Sequence, residues 1–191
     1  MAAVIPEPVS HKCVPWCGTA RRRRLTAGEV AIVQSVFGQG VDVTAVRVHN
    51  HGYPLLAGRQ PSNTAVTPNG QLYFPEPSYR ADFSAAPDLA RRWFVHEMAH
   101  VWQHQLGYPV ALRGAMRWTV RYTYRLDEHR RLCDYDMEQQ GEVIADYYYL
   151  RVLGRASIQR GHETHNRHEP YGQVLEAFLA RPTDRANLPR W

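Results

Sequence analysis

The chemistry of this chain is concentrated in His96-Glu97-Met98-Ala99-His100. On a helix, residues four apart share a face, so both imidazoles can meet one metal ion. The glutamate between them then stands beside the ion's open position, where it can take a proton from a bound water. This is the H-E-x-x-H pattern of zinc hydrolases. A catalytic zinc keeps three protein ligands and leaves its fourth position to water, so a third ligand is required. Glu142-Val-Ile-Ala-Asp146 offers one. Glu142 and Asp146 lie one turn apart, the spacing at which a glutamate binds metal while an aspartate accepts the Nδ1–H of a ligand histidine, here that of His96. Glu138, one turn earlier on the same face, is the rival ligand. Asp146 favours Glu142, and so does Gly141, whose missing Cβ lets a backbone or a substrate approach closely. The bland alternative is that these acids form a solvated helix face, because Ile144, Tyr147 and Leu150 supply an apolar one. His104, one turn past His100, is expected at the surface or behind the ligands.

These residues need elements to hold them. Thr26 and Glu29 have capping-box spacing, and a helix from there through Val36 and Phe37 stops at Gly38. A short strand over about 44–49 turns Val46 and Val48 inward. Ala65-Val66-Thr67, Pro68-Asn69-Gly70 and Gln71-Leu72-Tyr73-Phe74 read as a hairpin around Asn-Gly. Pro87 and Asp88 open a long helix that carries the His-Glu motif and ends at Leu106, before Gly107. Residues 112–126 predict a second helix, and 136–153 a third that carries Glu138, Glu142 and Asp146 and is closed by Gly154. A polar loop follows over 160–169, then a last helix over about 170–180. The class is α+β and helix-dominant. Residues 1–24 read as an irregular basic leader, 25–181 as a single domain, and 182–191 as a C-terminal tail.

His96-Glu-Met-Ala-His100 followed by Glu142-x-x-Ala-Asp146 is similar to the gluzincin branch of zinc metallopeptidases, whose E-x-x-A-D supplies the third ligand. The longer run of Thr67-Pro-Asn-Gly-Gln-Leu-Tyr-Phe74, Asp82-Phe83 and Phe94–Gln103 resembles small bacterial Vgr-related proteins. It also resembles the metallopeptidase domain associated with extracellular contractile injection systems. The resemblance covers about residues 25–153. It implies a zincin-like fold, with a small sheet packed on the active-site helix and a second, Glu-bearing helix. It further implies one Zn2+ ion and a peptide or protein substrate. Glu97 would take a proton from water attacking an amide carbonyl and pass it to the leaving nitrogen. Gln71, Leu72, Tyr73 and Phe74 would form the sheet edge to which an extended peptide adds. Tyr147, Tyr148, Tyr149, His129, His165 and His168 are the candidates to steady the oxyanion. The stretch between His100 and Glu142 exceeds that in thermolysin-like enzymes, leaving room for the helix at 112–126.

Composition bounds the rest. At 191 residues, with 44% apolar and 21% charged residues, the chain is ordinary globular material of one domain. No stretch has the roughly 18 apolar residues of a membrane helix, and the N-terminus has no secretory signal pattern. The expected location is the bacterial cytoplasm, with export by a system that reads no signal peptide. The net charge is +5, and Lys12 is the one lysine among 23 basic residues. Arg21-Arg22-Arg23-Arg24 reads as a solvated flank, and no nucleic acid is expected. Cys13 and Cys17 read as free thiols, with Cys133 alone. Three functions fit: a zinc peptidase, a non-catalytic structural or cargo part of an injection apparatus, and a toxin effector acting on host protein or cell-wall peptide. An intact Glu97 argues against the second.

Overall fold

The computed structural model describes residues 21–57, 60–115, 122–160 and 163–190. Cys13, Cys17 and the first twenty residues of the leader lie outside them. The chain is mixed α and β, with most of its described order in helices.

Helix α1 (Ala27–Phe37) starts on the expected capping box. Thr26 accepts from the Glu29 amide, Glu29 returns a bond to the Thr26 amide, and Gly38 ends the helix at φ +50. The arginine run departs from its expected role. Arg22–Arg23 forms strand β1, antiparallel to β2 (Val48–His49), so the domain begins before residue 25. Arg23 grips Glu29 with both guanidinium nitrogens, at 2.6 and 2.7 Å. Glu29 is fully buried, and it also accepts from the Phe83 amide. A buried carboxylate needs such partners, and Arg23 is the cationic one.

Strand β2 pairs in parallel with β3 (Leu72–Tyr73) to complete a three-stranded sheet. Beyond β3 the chain adds an isolated antiparallel bridge, Val66 to Tyr73. The Asn-Gly hairpin is therefore a single bridged pair on a wide loop, with Gly70 at φ +72. The order β2, β3, Val66 has a consequence. Leu72 and Phe74 donate to Arg47 and His49 on one side, while Tyr73 exchanges two bonds with Val66 on the other. Leu72–Phe74 is thus bonded on both sides, not the expected edge, and among the described residues the outermost paired backbone is that of Val66.

Helix α2 (Asp88–Gln105) is buried along most of its length and packs against α4 (Met137–Tyr147), which continues as a π-helical turn to Val152. Phe83 stacks on Phe94, Phe74 meets Trp93 edge-on, and Phe37, Trp102 and Phe178 close the far end of this core. The expected helix over 112–126 is shorter. Helix α3 spans Val110–Ala115, residues 122–126 are irregular, and 116–121 lie outside the described residues. The expected loop over 160–169 instead holds β5 (Glu163–Asn166), antiparallel to β4 (Ser157–Arg160), which ends where that loop was expected to begin. Helix α5 (Tyr171–Ala180) follows as expected.

Nor is 182–191 a free tail. The Pro182 carbonyl accepts from the Trp102 indole at 2.7 Å, and the Asn187 carbonyl accepts from Gln140 at 2.9 Å. Arg190 pairs with Asp134. Among the described residues, no helix is long and apolar enough to cross a membrane.

Candidate metal centre

Helix α2 presents His96 and His100 on one face, and the first turn of α4 brings Glu138 to them. His96 Nε2 and His100 Nε2 are 3.2 Å apart, and each is 3.2 Å from Glu138 Oε2. Ligand atoms about 2.0–2.2 Å from one tetrahedral ion stand about 3.3–3.6 Å from one another. The three atoms therefore mark out one face of such a tetrahedron, and the fourth corner is left over. Both histidines are buried, while the Glu138 side chain keeps 12% of its exposure. Among the described residues this is the one group of three or more side chains placed to hold a metal ion.

The donor set fits the chemistry of a metal as well as its size. An imidazole binds through one nitrogen when its other nitrogen keeps the proton and gives it to an acceptor. His100 Nδ1 lies 2.9 Å from Gln103 Oε1. Both donors of the Gln103 amide are already used, on the Met137 carbonyl and on Gln140 Oε1, each at 3.0 Å. Its oxygen must therefore face His100, which puts a proton on Nδ1 and, in the neutral imidazole a metal would bind, leaves the lone pair on Nε2. Gln140 is fixed in turn by donating to the carbonyls of Leu132 and Asn187. His96 Nδ1 faces Glu142 Oε1 at 3.4 Å, and these two atoms are otherwise buried without a hydrogen-bond partner. Their closest match is each other.

This reverses the ranking of the two glutamates. Glu138 stands with the imidazoles' Nε2 atoms, and Glu142 stands behind His96, in the place foreseen for Asp146. Arg92 is the reason. It lies one turn before His96 on α2, is 3% exposed, and pairs with Glu142 through one nitrogen and with Asp146 Oδ1 at 2.5 Å through another. Arg160, from β4, also pairs with Glu142. Both guanidinium groups hold Glu142 by Oε2, and its remaining Oε1 faces His96 Nδ1 rather than the Nε2 atoms. Asp146 is fully buried, as expected, but its partners are Arg92 and the Tyr124 hydroxyl, which donates to Oδ2 at 2.6 Å. His96 is not among them. Gly141 does give the close approach expected of it, though to an imidazole: a Cβ there would sit 2.9 Å from His96 Cε1.

The electrostatics follow the same contacts. Burial opposes ionisation of Glu138, but His100 and His96 outweigh it and hold the carboxyl well below its usual range. Burial likewise opposes charge on His100, yet Glu138 pushes its pKa up to about 9. In Glu142, burial works against the charge and Arg92 restores it, so the group is held below its usual value.

Glu97 is 2% exposed, and its Oε2 accepts from the Thr67 hydroxyl at 2.7 Å. The oxyanion candidates are scattered. His129 and His168 are exposed, Tyr148 is buried, Tyr147 and Tyr149 are half-buried, and His165 is stacked on Tyr124 at 4.5 Å with Nδ1 on Glu169. His104 is exposed, and its ring lies against Gly70. The residues that sequence reasoning missed are Arg92, Gln103, Thr67, Tyr124 and Arg160. Arg92 and Gln103 had a legible signal, at four and three residues from a ligand histidine on the same helix; the others come from distant segments.

This arrangement of helices α2 and α4 over a small sheet has known relatives. No family model matches the chain. The chain is 37% identical over 143 residues to the type VI secretion system spike protein VgrG2b of Pseudomonas aeruginosa, in an alignment covering 71% of this chain. The chain spans 14% of the length of that spike protein. The solved effector domain of Pseudomonas aeruginosa VgrG2b superposes with a TM-score of 0.64 at 31% identity, over 82% of this chain and 81% of that domain. The chain belongs to the family of that effector domain.

Proposed function

We propose that this domain is a zincin-like zinc peptidase that serves as an effector of a type VI secretion system. The observation that carries the catalytic half is the triangle of His96 Nε2, His100 Nε2 and Glu138 Oε2, with His100 oriented by Gln103 and His96 Nδ1 facing the Glu142 carboxylate. Three protein ligands with a vacant fourth corner make the donor set of a catalytic zinc rather than a closed structural one. The delivery half rests on kinship with the VgrG2b effector domain, and makes the spike of a secretion apparatus the partner.

His96, His100 and Glu138 would hold the ion. Bound zinc supplies a water of near-neutral pKa and polarises the substrate carbonyl. Glu97, one residue along the helix from His96, takes the proton of the attacking water and delivers it to the leaving nitrogen. Arg92, Glu142 and Gln103 keep the imidazoles in register during that exchange. The substrate class is a peptide or other amide, and segment 65–67, whose Thr67 meets Glu97, takes over from β3 as the edge to which an extended chain adds.

Glu97→Gln keeps the size of the side chain and removes its basicity. The variant should retain zinc and fold while losing about 10²–10⁴-fold in peptide cleavage. Cleavage by purified wild type and variant, with zinc content measured in parallel, checks this; equal rates would overturn the mechanism.

A further inference from the structure

The general base has a partner that the metal chemistry alone does not call for. Glu97 is buried, and an ionised carboxylate in such a place needs donors to hold it. Among the described residues the donor is the Thr67 hydroxyl, 2.7 Å from Oε2 and itself 4% exposed. Because Oε2 is engaged there, Oε1 is the oxygen left to take a proton from water.

Thr67 is fixed by three independent constraints. Val66, before it, is locked to Tyr73 by two backbone bonds of 3.0 and 3.2 Å. Pro68, after it, restricts Thr67 to extended backbone. Its branched Cβ leaves few rotamers. A hydroxyl held this way is a fixed point against which a carboxylate can be aimed.

We infer that Thr67 is a positioning residue for the general base, setting the plane of the Glu97 carboxylate through its hydroxyl so that Oε1 faces the reacting water. This rests on the peptidase reading above. It adds that the outermost segment of the sheet, and not helix α2 alone, sets the geometry of proton transfer. Charge-assisted hydrogen bonds of this kind contribute about 10–100-fold.

The test compares Thr67→Val, which keeps shape and branching but has no donor, with Thr67→Ser, which keeps the donor. An internally quenched fluorescent peptide cut by the wild-type domain, drawn from a random-sequence library, serves as probe. Thr67→Val should lower kcat about 10–100-fold with KM, zinc content and melting temperature near wild type, and Thr67→Ser should restore most of the rate. In the Glu97→Gln background, Thr67→Val should cost nothing further. Crystal structures of the zinc-loaded wild type and Thr67→Val give a readout independent of turnover: the carboxylate plane of Glu97 should be held in the first and rotated in the second. Wild-type kcat in Thr67→Val, or a loss that Ser does not rescue and that tracks the melting temperature, overturns the inference. If Glu97→Gln abolishes cleavage while Thr67→Val changes neither rate nor carboxylate plane, the inference fails and the peptidase reading stands. If the domain cuts no peptide but the plane still depends on Thr67, the peptidase reading fails and takes the general-base role with it, leaving only the Thr67–Glu97 contact.

Discussion

At the scale of single residues, two glutamates one turn apart have opposite surroundings. Glu138 is flanked by imidazole nitrogens, and Glu142 by guanidinium groups. Zinc stoichiometry separates them. Glu138→Ala should leave two protein ligands and bind substoichiometric zinc after gel filtration. Glu142→Ala should keep the ligand set but free His96 Nδ1, weakening zinc by about 10–100-fold. The opposite pattern, with metal retained in Glu138→Ala and absent in Glu142→Ala, would restore the order expected from sequence. The structure favours the other order for a physical reason. The i, i+4 pairing of Glu142 with Asp146 was legible, but it also suits a salt bridge to a third residue, and Arg92 on the neighbouring helix claims both acids. Which carboxylate a cation reaches depends on how two helices are rotated against each other, and spacing within one helix does not carry that. The His96–Glu97–His100 spacing sits on a single helix, and its shared face was therefore legible.

At the scale of elements, the candidate metal site depends on how closely α2 and α4 approach. Gly141 sits where α4 meets the His96 ring, and an added Cβ would stand 2.9 Å from Cε1 and 3.0 Å from Nδ1. The ring is buried between two helices and has little room to yield. Gly141→Ala should therefore cost about 1–3 kcal/mol through overpacking, despite alanine's better helix propensity, and should lower zinc affinity by displacing His96. A thermal melt and a zinc titration measure the two effects, and a variant as stable as wild type would show that the helices can part without cost. Helix starts and stops were legible because capping is local: Thr26, Glu29, Gly38 and Gly154 are read from their neighbours. Strand partners were not. The Asn-Gly signal identified a turn, but nothing local says that β2 lies parallel to β3 or that Val66 takes its other side.

At the scale of the whole molecule, residues at either end of the domain are part of its interior. The Arg21–Arg24 run looked solvated because charge runs usually are. The buried Glu29 that recruits Arg23 is visible only once α1 is packed. The segment after Arg181 looked like a tail because it has no periodicity, yet Pro182 and Asn187 accept from buried donors. Deleting 182–191 leaves the Trp102 indole and one Gln140 donor without acceptors, each costing about 1–3 kcal/mol. The truncated protein should melt lower in calorimetry and bind zinc less tightly than the full chain; an unchanged melt would show that water replaces those carbonyls freely.

The bonds that run from Asn187 through Gln140 and Gln103 to His100 also order events in time. On a ribosome, His96 and His100 emerge well before the backbone carbonyl that anchors this relay. Until residue 187 is made, Gln140 lacks one acceptor and the His100 ring is less firmly aimed. On the function proposed above, a nascent chain thus carries its ligands long before it can present them well, and competence for the metal comes late in synthesis, close to the completion of the fold itself.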